Sequence, residues 1–166
     1  RYVGAKPIFV DIDPDTLCID PEKILKNISK KTKAIISVDL FGNMAENDKI
    51  KKICKKNKIH FIEDAAESIG AKYNKKMAGS FGDVSVFSFN ATKLIMAGQG
   101  GCLCTNNKKI FEKAKLFSHH GIDKKITGRY YWSSLLGYNY NWTNIQAACA
   151  IAQLTRINKL IKYKYK

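Results

Sequence analysis

Ile59-His60-Phe61-Ile62 runs without a break into Glu63-Asp64-Ala65-Ala66-Glu67. The first four residues read as a strand, because β-branched and aromatic residues suit a pleated, half-buried surface. The strand stops on an acid pair followed by two small residues. Upstream, Ala34-Ile35-Ile36-Ser37-Val38 predicts a second strand, apolar at positions serving both faces. Between the two, residues 45–57 place Ile50, Ile53 and Cys54 at helical spacing with lysines opposite. Asp20-Pro21-Glu22 is a helix start, an N-cap Asp followed by Pro at the first helical position, with a helix running to about Ile28. Pro7-Ile8-Phe9-Val10 predicts a further strand, closed by the segment Asp11 to Asp15. Downstream, Val84 to Phe89 and Cys102 to Thr105 read as strands, and residues 107–118 and 143 to about 162 as helices. Strands alternating with helices, and apolar along their whole length, predict an α/β domain with a mostly parallel central sheet. In such sheets ligands bind at the carboxyl ends of the strands, so the polar cluster after Ile62 is the first candidate site.

Composition narrows the alternatives. The chain has 166 residues, 45% hydrophobic and 26% charged, which excludes a disordered or low-complexity chain and suits one domain with a real core. Lys plus Arg number 29 and Asp plus Glu 14, a net charge of +15. Only Arg1, Arg129 and Arg156 are arginines, and the lysines are scattered rather than interleaved with aromatics along one stripe. That pattern reads as a solvated basic surface, not a nucleic-acid footprint. No run of about 18 apolar residues exists, so no membrane span is predicted. The five cysteines, Cys18, Cys54, Cys102, Cys104 and Cys149, are odd in number and lack C-x-x-C spacing. They predict buried free thiols in a reducing cytoplasm and no metal site.

Three clusters carry candidate chemistry. Asp64, ahead of Ala65 and Ala66, offers a carboxylate with room for a flat ligand beside it, although an acid pair after a strand also suits a helix cap. Ser85-Val86-Phe87-Ser88-Phe89-Asn90-Ala91-Thr92-Lys93 runs from a strand into a loop ending in lysine. A lysine among apolar neighbours is a candidate for Schiff-base chemistry. Gly98-Gln99-Gly100-Gly101 makes a sharp turn or a close backbone approach, and it lacks the Gly-Lys-Ser/Thr of a Walker loop. His119 and His120 precede Gly121 at a helix end, which favours a cation; a ligand contact is the other reading. Tyr130, Tyr131 and Trp132 suit stacking on a base or packing at an interface, and packing is the favoured reading.

Together these motifs resemble the DegT-like sugar-nucleotide aminotransferases, a branch of the fold-type I, aspartate aminotransferase-like pyridoxal-phosphate enzymes. The residues that carry the likeness are Asp64-Ala65-Ala66-Glu67-Ser68-Ile69-Gly70-Ala71, Gly82-Asp83, Ser88-Phe89-Asn90, Lys93 and Gly98-x-Gly100-Gly101. It continues through Gly137-Tyr138-Asn139-Tyr140, Thr143-Asn144-Ile145-Gln146-Ala147-Ala148 and Gln153-Leu154, with Gly4-Ala5-Lys6-Pro7 and Asp11-Ile12-Asp13-Pro14 near the start. The motifs fall in the family's order, including the 29 positions from Asp64 to Lys93. Asp64-Ala65-Ala66-Glu67-Ser68 is most similar to the perosamine-synthase-like members.

The resemblance implies a three-layer large domain with a mostly parallel sheet, and pyridoxal 5'-phosphate as cofactor. Lys93 would hold it as a Schiff base and shuttle a proton. Asp64, with Ala65 beside it, would pair with the pyridine nitrogen. Glu67 matches the position near the cofactor's phenolic oxygen, where relatives often carry Gln or His. Ser88 would bind the phosphate. Asn139 or Asn141 would reach the phosphate of the neighbouring subunit's cofactor in a homodimer; relatives often have Arg at position 141. The implied reaction moves an amino group from an amino acid, L-glutamate, to a nucleotide-linked 4-keto-6-deoxy sugar. Two alternatives stand beside it: a dehydratase on the same cofactor, which the presence of Lys93 disfavours, and a non-catalytic basic binding protein. Family chains are roughly twice as long, so residues 1–166 are expected to be the central part of the large domain, inactive alone, without the N-terminal segment and the C-terminal small domain.

Overall fold

The computed structural model describes residues 1–123 and 130–164. The chain divides into two compact units, Arg1–Phe87 and Ser88–Lys166.

The first unit holds α1 (Pro21–Asn27), β1 (Ala34–Val38), α2 (Asn47–Asn57), β2 (His60–Asp64), the ribbon β3 (Lys72–Tyr73) and β4 (Lys76–Met77), and β5 (Val84–Ser88), whose last residue opens the second unit. The Asp20 side chain caps α1 by accepting the Glu22 N–H at 2.8 Å. Helix α2 ends on Lys58 in the left-handed conformation, and the Ile59 N–H bonds back to the Cys54 carbonyl at 3.0 Å. This abrupt stop turns the chain straight into β2. Strands β1, β2 and β5 are parallel neighbours, with Val38 level with Asp64 and Asp64 level with Val86. Ile35, Phe61, Ile50, Cys54 and Ile24 form the core under α1 and α2. Asn74 and Lys75, both at positive φ, turn β3 into β4.

Alternation along the strands sorts the residues onto two faces. Ile35, Ser37, Phe61, Glu63 and Ser85 are buried on the helix-covered face. Ile36 and Val38, on the other face, are 58% and 40% exposed, so β1 is buried on one face within this unit rather than on both. The Pro7–Val10 strand does not form. Ile8 and Phe9 are exposed, and the pairing nearest to it is a single bridge between Ile12 and Ile19. A strand needs a hydrogen-bonding neighbour, and none pairs with this segment among the described residues.

The second unit contains β6 (Gly101–Cys104), α3 (Lys108–Ser118), α4 (Asn144–Leu154) and α5 (Ile157–Lys164). Asn107 caps α3, and Thr143 with Gln146 forms a capping box on α4. The helix expected from 143 onward is two helices. The Thr155 hydroxyl bonds to the Ala152 carbonyl at 2.9 Å, and this local bond tightens the turn where α4 ends. Tyr165 and Lys166, the end of the expected C-terminal helix, lie outside the described residues, as does Arg129.

No disulfide joins any of the five cysteines. Cys18 and Cys54 are buried as expected, and burial pushes the Cys54 thiol up to about 11. Cys102, Cys104 and Cys149 are exposed, against expectation: the first two lie on β6, whose four residues are all exposed, and the third on an exposed position of α4. No helix among the described residues is long and apolar enough to cross a membrane.

Candidate cofactor-binding site

Asp64 is the last residue of β2, at the carboxyl end of a parallel strand, and is half-buried. By register, Val38 and Val86 stand level with it on neighbouring strands. Its Oδ1 accepts the Ala66 N–H at 3.1 Å. Ala65, fully buried, bonds to the Val86 carbonyl through its N–H at 2.9 Å. The strand therefore delivers a carboxylate between two valines, with its Oδ2 open to a further donor.

The preceding acid does something different. Glu63 points to the helix-covered face and is fully buried. Its Oε1 takes the Gly79 N–H at 2.6 Å, and its Oε2 takes those of Phe81 at 2.8 Å and Gly82 at 3.2 Å and the Ser85 hydroxyl at 2.9 Å. Neither acid caps a helix. Glu63 organises the loop ahead of β5, and Gly82 is glycine because a Cβ there would lie 2.9 Å from the Glu63 nitrogen.

Asp39 was not singled out by its sequence context, yet it lies fully buried just past β1. Its N–H donates to the Asp64 carbonyl at 3.0 Å. Its Oδ2 accepts the Ser68 hydroxyl at 3.2 Å, and its Oδ1 accepts the Ala45 N–H and the Asn47 amide, each at 3.3 Å. Burial pushes Asp39 up to about 6, against those hydrogen bonds, and the Glu63 charge adds to the push. The available signal was an acid at the carboxyl end of a parallel strand. Glu67 is half-buried, and its Oε2 accepts the Phe41 N–H at 2.9 Å. Phe41 is exposed and has φ 56°, a conformation rare for a bulky residue, which this bond helps to hold.

Ser88 and Lys93 lie together in the second unit. The Ser88 Oγ accepts the Asn90 N–H at 3.3 Å, which leaves the hydroxyl proton for another acceptor. Asn90 builds the loop: its Oδ1 takes the Thr92 N–H at 3.1 Å, its carbonyl takes the Lys93 N–H at 3.0 Å, and its amide reaches Gln99 Oε1 at 3.2 Å. Lys93 is half-buried. The Phe89 N–H bonds to the Gly100 carbonyl at 2.9 Å, closing the loop at its base. Gly100, at φ 113°, is in contact with the Trp142 indole where a Cβ would stand, so the glycine turn makes a close approach. Trp142 packs edge-on against Phe89, with ring centroids 5.0 Å apart.

Asn139 and Asn141 are exposed in an extended segment beside the end of α3. Asn139 bridges His119, and the Tyr138 and Tyr140 N–H groups bond to the Phe117 and Ser118 carbonyls at 2.7 and 3.0 Å. Tyr138 and Tyr140 stack at 5.1 Å. Asn141 is committed: its amide lies 2.7 Å from His119 Nδ1, and its Oδ1 lies 3.5 Å from the Ser118 hydroxyl. Asn139 has no such side-chain bond among the described residues. Gly121 and Gly137 cross backbone to backbone, leaving no room for a Cβ at either. Tyr130, Tyr131 and Trp132 are 79%, 88% and 74% exposed, so they do not pack within the described residues.

The model of the DegT/DnrJ/EryC1/StrS aminotransferase family matches residues 1–166. GDP-perosamine synthase of Vibrio cholerae is 38% identical over 161 residues, 97% of this chain and 43% of that protein. Among solved structures, Helicobacter pylori PseC, an aminotransferase involved in the biosynthesis of pseudoaminic acid, matches at TM-score 0.89 and 36% identity, over 95% of this chain and 42% of its own. The E. coli GDP-4-keto-6-deoxy-D-mannose-3-dehydratase with bound hydrated PLP matches at TM-score 0.81 and 33% identity, over 90% of this chain and 42% of its own. The chain thus spans less than half the length of each of these relatives. With a match along its whole length and neighbours of the fold-type I kind, the chain belongs to the DegT/DnrJ/EryC1/StrS aminotransferase family.

Proposed function

We propose that this protein is a pyridoxal-phosphate aminotransferase that moves an amino group from L-glutamate to a nucleotide-linked 4-keto-6-deoxy sugar. The carrying observation is Asp64: a half-buried carboxylate at the carboxyl end of β2, flanked by valines, with one oxygen engaged only by its own turn. The family uses pyridoxal phosphate, and the donor set here fits that cofactor. Asp64 Oδ2 is suited to a protonated ring nitrogen, and the Ser88 hydroxyl to a phosphate oxygen. Lys93 supplies the amine, and Glu67, Ala65 and Asn139 or Asn141 complete the proposed contacts. Asn139 is the better of the two asparagines, because Asn141 is held by His119 and Ser118.

When bound, pyridoxal phosphate supplies an electron sink for the carbon that loses and gains a proton. Asp64 holds negative charge beside the ring nitrogen in a partly dry setting, which favours the cationic ring. Lys93 Nζ carries the proton at the reacting carbon. The Asn90 turn fixes the height of Lys93 above its strand. Residues 1–166 are read as the central part of the cofactor-binding domain, and the enzyme as a cytoplasmic homodimer with shared sites. The presence of Lys93 supports transamination over dehydration.

The test is borohydride reduction of the full-length protein loaded with pyridoxal phosphate, followed by peptide mapping, and turnover with L-glutamate and a panel of nucleotide keto sugars. A pyridoxyl group on Lys93 and formation of 2-oxoglutarate are expected. Label elsewhere, or none, overturns the reading.

A further inference from the structure

We propose that Asp39 and Ser68 are positioning residues that aim the Asp64 carboxylate, so that its hold on the ring nitrogen is set from inside the core. This rests on the aminotransferase reading above. Asp39 holds the 64–68 turn at both ends: its N–H donates to the Asp64 carbonyl at 3.0 Å, and its Oδ2 accepts the Ser68 hydroxyl at 3.2 Å. The turn is closed internally by the Ser68 N–H to the Ala65 carbonyl at 3.1 Å. The other carboxylate oxygen ties the same group to the start of α2 through Ala45 and Asn47. Asp39 and Ser68 are 0% and 1% exposed, so water does not replace a lost bond there. Unlike Glu63, whose four donors come from the loop ahead of β5 and from Ser85 on β5 itself, Asp39 spends bonds on the turn that carries the site carboxylate. A carboxylate that must meet a ring nitrogen tolerates little error in direction, and outer partners of a binding group commonly change its affinity by about 10–100-fold when removed.

The experiment compares wild type, Ser68→Ala and Asp39→Asn as full-length protein titrated with ¹⁵N-labelled pyridoxal phosphate. It reads the ring-nitrogen chemical shift, the cofactor dissociation constant and the melting temperature. Wild type is expected to show a protonated ring nitrogen. Ser68→Ala is expected to weaken cofactor binding about tenfold and to move the nitrogen signal toward the unprotonated position. Asp39→Asn is expected to do the same or more. If Asp39→Asn fails to fold, Ser68→Ala decides alone. Wild-type shift and affinity retained in the folded variants overturn the positioning role, however far the melting temperature moves. Absence of any cofactor signal in wild type overturns the aminotransferase reading and this proposal with it.

Discussion

At Asp64 one residue carries the proposed electrostatic work. Asp64→Ala is expected to leave the Lys93-bound cofactor detectable by its absorbance while lowering turnover by about two to three orders of magnitude, the usual effect of losing one well-placed charge partner. Turnover within a few-fold of wild type removes the assigned role. Its neighbour Glu63 predicts a different outcome. A Gln there keeps one accepting oxygen and turns an NH2 group toward the donors that the other oxygen held, so Glu63→Gln is expected to cost about 2–4 kcal/mol in urea unfolding, with little independent effect on the chemistry. The place of Asp64 at a strand end was legible from the apolar run before it, whereas Lys93 became a candidate through the resemblance of its motif. Asp39 was not, because its partners Asn47 and Ser68 lie 8 and 29 positions away, and an acid after a strand reads locally as a turn residue. Asn90 was visible in its motif, but its three-way bonding emerges only when the loop closes.

Among the elements, the strands and helices that hold one another were legible, and strand composition without a pairing neighbour among the described residues misled. Helix α1 announced itself through its cap, and α2 through its spacing of apolar residues. The segment Pro7–Val10 has strand composition and no partner. Periodicity also could not show that Thr155 would end α4, since its hydroxyl bond to Ala152 replaces none of the apolar pattern. The junction of β1 and α2 carries a pH dependence. Asp39 in the fold is raised from 3.8 to about 6, so the folded state binds its proton before the unfolded state does. Its ionised form therefore weighs against folding above about pH 6, and that burden is lifted as pH falls from 6 towards 4. Measured by denaturant unfolding, wild type is expected to gain about 1–3 kcal/mol relative to Asp39→Asn between pH 7 and pH 4.5. A constant difference shows that Asp39 does not titrate in that range.

The whole chain carries a net charge of +15, and no lysine or arginine among the described residues is buried. Ion pairs among the described residues include Lys23 with Asp11 and Asp20, Lys49 with Glu46, His60 with Asp83 and Lys76 with Asp48, each between partly or fully exposed side chains. Among the described residues, no lysine pairs with either fully buried carboxylate. Repulsion between like charges should therefore outweigh attraction, and added salt should screen it. The melting temperature is expected to rise by a few degrees between about 20 mM and 200 mM NaCl, where the screening length falls from roughly 20 Å to below 10 Å; a fall shows that the pairs dominate. The backbone crossing of Gly121 with Gly137 has a consequence of another kind. It closes a neck on the chain, sealed further by Ser134 N–H to the Gly121 carbonyl at 2.8 Å and His120 N–H to the Tyr138 carbonyl at 2.9 Å. At that neck the choice of residue is closed: any side chain at position 121 or 137 would hold the two backbones apart.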